Sequence, residues 1–134
     1  MNLTTINWWA VVLAALSSFV VGGVWYSSFL FGKFWAYDNG ISEETINKSN
    51  KAKIFGFTFV FSLIMSANLA LFLNEPKTDT RWGIIAGFLT GIWTFCAIAI
   101  HSLFELKTWR LIFINGVYSI VALVIMGAII GSWR

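Results

Sequence analysis

The sequence has one cysteine, one proline, one histidine and few charges. A single Cys96 rules out an intramolecular disulfide and a cysteine metal cluster, and its place inside an apolar run marks it as a small core residue rather than a nucleophile. The lone Pro76 falls in the turn NEPKTDTR, so no proline interrupts the apolar stretches on either side. Lys, Arg, Asp and Glu make up 11% of the 134 residues, where a soluble domain carries about 25%. Such a surface is not built for water. The sequence offers no nucleophile beside a base, no paired carboxylates and no glycine-rich phosphate loop, so the case for an enzyme is thin. The nine Lys and Arg lie in turns and loops and form no basic face for a nucleic acid. One His and one Glu near each other do not make a metal site, and no cofactor motif is present.

Apolar residues are there in abundance: 58% of the chain, with eight Trp and 13 Phe. Crossing a bilayer takes about 20 mostly apolar residues. Four stretches reach that length, from about Ile6 to Tyr26, Ile54 to Leu73, Trp82 to Phe104 and Leu111 to Gly131. None alternates polar and apolar residues at period two, so they read as helices and not barrel strands. The fold class is therefore all-α, a single-domain (residues 1–134) integral membrane bundle of four transmembrane helices. The first span has no Lys or Arg ahead of it and no clear cleavage site, which predicts a retained helix and not a signal peptide. Trp8, Trp9, Trp25, Trp82, Trp109 and Trp133 sit at span ends, where an amphipathic ring prefers the headgroup layer. Trp93 is the exception, in mid-span, where it packs on a neighbour or faces lipid.

The one long connection follows the first span. Phe29 to Tyr37 is aromatic and carries a single cation, Lys33, which suits a segment lying in the interface near headgroup phosphates or a carboxylate. Asp38, Asn39 and Gly40 then read as a turn. Ser42 is an N-cap, and Glu44 with Lys48 at i,i+4 predicts a short helix leading straight into the second span. On the side of the termini stand three cations, Lys77, Arg81 and Arg134; the other side has six, Lys33, Lys48, Lys51, Lys53, Lys107 and Arg110. The positive-inside rule puts the long connection in the cytoplasm and both termini outside, in a plasma (inner) membrane.

Lipid does not drive helices together, so close packing and polar contacts must. Small residues four apart stripe every span: Ala10, Ala14, Ser18 and Gly22; Ser62, Ser66 and Ala70; Gly83, Gly87 and Gly91; Gly127 and Gly131. They hold a monomeric bundle together, or one stripe is left over for a homo-oligomer, and the expectation favours the oligomer.

Ionisable groups near lipid are the default place to look for function. His101 and Glu105 share a face of the third span, with His101 about 6 Å deeper. Asn115 and Tyr118 enter the fourth span from the same side, and Tyr26 closes the first span there. His101 is expected to meet Asn115, Tyr118 or Tyr26, either as a satisfied neutral imidazole or as a titrating group or ion ligand. Glu105 is expected to pair with Arg110 or Lys33 at the turn.

WYSSFLFGKFW after the first span, the ISEE that follows, and HSLFELKTWRLIFINGVYSIVALVIMGAIIGSW at the end resemble the small bacterial membrane proteins of domain-of-unknown-function family 1761. The resemblance runs nearly the full length; one departure is Ser28, where that family often has proline. It implies a four-helix membrane protein and no agreed activity. Three functional classes stay open: a protein that binds or passes a small solute or ion, an accessory protein docking a larger membrane partner, and a membrane-embedded enzyme using His101 and Glu105.

Overall fold

The computed structural model describes residues 2–134. A 3-10 turn at Leu3–Thr5 precedes α1 (Trp8–Trp25), α2 (Gly32–Asn39), α3 (Glu43–Lys48), α4 (Lys51–Phe72), α5 (Thr80–Phe104) and α6 (Trp109–Ser132). Four of these, α1, α4, α5 and α6, are long and apolar enough to cross a membrane, as the sequence predicts. Each begins on a side chain that accepts hydrogen bonds from first-turn amides: Asn7, Asn50, Asp79 and Thr108. These caps fix where the helices start, because the first amides have no partner inside a helix.

The spans stand in a curved row, α4–α1–α6–α5. α1 packs on α4 and α6, and α6 packs most extensively on α5, while α4 meets α5 where the Phe72 and Trp82 rings lie 6.2 Å apart. Small residues set this order. Gly83 lies against the backbone of Gly127, Gly87 against Leu123, and Gly91 against Ile120, so close that a methyl group at any of the three would collide with α6. Gly131 likewise abuts Asp79. On the other seam Ala10, Ala14, Ser18, Ser62, Ser66 and Ala70 are buried. There the Ser66 hydroxyl donates to the Val11 carbonyl at 2.8 Å, and Ser18 and Ser62 hydroxyls meet at 3.2 Å. Every stripe is thus used inside one chain, and none is left over.

The ends of the chain are tied together. Arg134 donates to the carbonyls of Leu73 and Glu75 beyond the C-terminus of α4, where unpaired carbonyls collect. Asn7 donates to the Trp133 carbonyl at 3.2 Å, and Thr5 to Asn74 at 2.9 Å.

Three local expectations change. Asp38 and Asn39 belong to α2, so of the three expected turn residues only Gly40 breaks the helix, with a φ of 66° that suits glycine. α3 starts on Ser42 and carries the Glu44–Lys48 pair as expected, but Ser49 is extended and Asn50 caps a fresh helix, so α3 does not run into α4. Cys96 is exposed on α5 and is not a core residue, because the glycine seam draws the other side of that helix inward. Trp93 is 78% exposed and faces the cleft between α4 and α5.

Candidate functional site

The α2 side of the molecule is assembled by one turn. Gly32 lies directly on the carbonyls of Tyr26 and Ser27, a contact that only a residue without Cβ allows. The Phe31 amide donates to the Trp25 carbonyl at 3.1 Å and the Gly32 amide to Ser27 at 2.9 Å. α2 is thereby folded back beneath the end of α1 and laid across the start of α6.

Three side chains then bridge α1 and α6. The Trp25 indole donates to the Ile114 carbonyl at 2.9 Å, the Tyr26 hydroxyl to Asn115 Oδ1 at 2.7 Å, and the Tyr118 hydroxyl to the Ser18 carbonyl at 3.0 Å. The rings of Tyr26 and Tyr118 meet edge-on with centroids 5.3 Å apart, and Trp35 of α2 closes on Tyr26 at 6.2 Å. Gly22 makes room for the Tyr118 phenol. Tyr26, Asn115 and Tyr118, singled out in the sequence, therefore do come together.

His101 and Glu105 do not join them. Both are exposed, and neither side chain hydrogen-bonds to another described residue. The reason is the rotation of α6. Its glycine side faces α5, with Gly116 against Phe95, and this turns Asn115 and Tyr118 toward α1. The expected contact of His101 with Asn115, Tyr118 or Tyr26 is not made.

Arg110 also has a different partner from the one expected. Its Nε and Nη2 atoms donate to the two carboxylate oxygens of Asp38 at 2.8 and 2.6 Å, in the planar fork that a guanidinium favours. The Asp38 side chain is only 3% exposed, and the guanidinium lies 4.6 Å from the centre of the Phe34 ring. Hydrogen bonding to Arg110, helped by its charge and by Thr108 and opposed by burial, holds the Asp38 carboxyl below its ordinary value of 3.8. Glu105, the C-cap of α5, is left in the open. Sequence reasoning missed Asp38 because its neighbours read as a turn. Reading residues 32–39 as a helix puts Phe34, Tyr37 and Asp38 on one face at i, i+3 and i+4, and that spacing is the signal.

Lys33 takes no ion pair among the described residues. It lines a cavity of about 510 Å³ together with Tyr26, Ser28, Trp35, Glu43 and Ile46. A second cleft, about 400 Å³, runs between α1 and α4 past Phe19, Gly22, Gly23, Ile54 and Phe55, and Tyr26 forms a wall of both. Among the described residues no three His, Cys, Asp or Glu side chains stand close enough to hold a metal ion.

A family model described as "Protein of unknown function (DUF1761)" matches residues 9–131. The chain belongs to that family. No curated protein matches it, and no solved structure does. The DUF1761 match spans all four long helices and the α2–α3 connection, so the cavity, the α1–α6 bridge and the Asp38–Arg110 clamp all lie within the family's own region.

Proposed function

We propose that this DUF1761 protein binds a small solute at the membrane surface, in the cavity walled by Tyr26, Ser28, Lys33, Trp35 and Glu43. The observation that carries the reading is that cavity itself. At about 510 Å³ it falls within the range of about 300–1,000 Å³ usual for small-molecule sites, and it sets a few polar groups in an aromatic frame. The exposed Phe29 and Phe34 of the same connection suit a segment that lies at headgroup depth. With the greater number of cations on this side, the cavity opens toward the cytoplasm and the termini lie outside. The Tyr26–Asn115–Tyr118 bridge supports the rear wall and does no chemistry. No catalytic role is assigned.

The test is native mass spectrometry of protein extracted gently from its membrane. A small molecule should stay bound to the wild type and be lost from Ser28→Trp, which fills the cavity from an exposed position. Its retention by Ser28→Trp, with the fold intact, would refute the site.

A second reading is an accessory protein that docks a larger membrane partner. Its support is that the three hydroxyl and indole donors of the α1–α6 bridge are all satisfied within the chain. With the named small-residue stripes used inside the chain, a partner would meet the exposed apolar faces of the outer helices, among them the Trp93 cleft between α4 and α5.

A further inference from the structure

The cavity carries one cation and one carboxylate that do not neutralise each other. Lys33 and Glu43 both line it, yet the ion pairs of the described residues are Lys48–Glu44 and Arg110–Asp38. Neither Lys33 nor Glu43 is engaged by any other described side chain, and the Ser28 hydroxyl beside them is also unused. A lone lysine would select an anion and a lone glutamate a cation. Lining one cavity without pairing to each other, the two suit a molecule bearing both charges, because each end then gains a charge-assisted hydrogen bond. Trp35 and Tyr26 add aromatic faces that attract an ammonium group.

Behind Tyr26 the second cleft is mainly apolar in its lining, with Phe19, Ile54 and Phe55 as walls and the Ser18 and Thr58 hydroxyls among them. Gly23 opens it further, since a Cβ there would meet nothing within 4 Å. An open cavity bearing a cation and a carboxylate, which shares the Tyr26 wall with a mainly apolar cleft, matches the shape of an amphiphile.

We propose that the cavity binds a zwitterion, its ammonium end against Glu43 and its anionic end against Lys33, and that this is the head of an amphiphile whose chain occupies the α1–α4 cleft. The proposal rests on the solute-binding reading above and names the class of solute.

Three probes test it by native mass spectrometry titration in a nonionic detergent: lysophosphatidylethanolamine, lysophosphatidylglycerol of the same chain length, and glycerophosphoethanolamine, which has the head but no chain. The zwitterionic lysolipid should bind about tenfold or more tighter than the anionic one, the scale of one charge-assisted hydrogen bond. Glu43→Gln should erase that preference, Lys33→Gln should weaken both lysolipids, and Lys33→Glu combined with Glu43→Lys should restore the preference. Gly23→Leu, which puts a side chain into the cleft where a Cβ meets nothing within 4 Å, should weaken the lysolipid and leave glycerophosphoethanolamine unchanged. Equal binding of the two lysolipids, or a preference indifferent to Glu43→Gln, overturns the zwitterion. Binding of glycerophosphoethanolamine as tight as that of the lysolipid upholds the zwitterionic head and overturns the chain, making the ligand a free solute. If no probe binds while the wild type still carries a species lost in Ser28→Trp, the zwitterion fails and the cavity reading survives. If that species is absent too, both fall.

Discussion

Asp38 grips Arg110 with both carboxylate oxygens, and the grip has a pH signature. A carboxyl whose folded value is lowered adds stability that is fully present above its unfolded value and is lost as pH falls through the folded one. Since Asp38 sits below 3.8, the docking of α2 on α6 should hold steady from neutral pH down to that region and loosen only in stronger acid. Limited proteolysis of the 29–50 connection against pH reads this directly; Asp38→Asn should be cut faster at neutral pH and show no further acid step. In the bridge, Asn115→Leu strands the Tyr26 hydroxyl, at a cost of about 1–3 kcal/mol in unfolding experiments. Adding Tyr26→Phe should recover part of that loss, because the stranded donor is gone. His101→Gln should change stability little, since the ring has no partner to lose. Much of this was legible in the sequence: Tyr26, Asn115 and Tyr118 stand at matching depth on two spans. The partner of Arg110 was not legible, because a charge's nearest neighbour in sequence, Glu105, outcompetes a distant Asp38 until α2 is seen folding back on Gly32.

At the scale of elements, the spans were readable from length and composition, and which sides they present was not. Each long helix is apolar all round, so hydrophobic periodicity carries no facing information, and only the small residues do. Their stripes marked the seams correctly but left open whether they met within a chain or between chains. The α5–α6 seam is the tightest of them. Gly87→Ala drives a methyl group into the Leu123 backbone and should cost about 1–3 kcal/mol or more, as overpacking does. Gly56→Ala on α4, where a Cβ meets nothing within 4 Å, should instead stabilise by about 0.5–1 kcal/mol through backbone entropy. Unfolding titrations of the two variants side by side separate close approach from simple helix propensity. Leu106 is a related case: it holds a φ of 60° after α5, so Leu106→Gly should relieve about 1 kcal/mol.

For the whole molecule, the row α4–α1–α6–α5 leaves the α2 side built around Tyr26 and the opposite side tied by Arg134. Reporter fusions after Arg134 should show that end outside the cytoplasm; a cytoplasmic reporter would invert the orientation and leave the site unchanged. The most direct measurement is NMR of isotope-labelled protein in phospholipid nanodiscs, reading which residues lie next to a bound non-protein molecule. Ligand in the cavity predicts contacts from that molecule to the Trp35 indole, Ser28 and the Lys33 side chain, and none concentrated at His101. Contacts gathered around His101 and Glu105, with the Trp35 indole seeing only water, would contradict it.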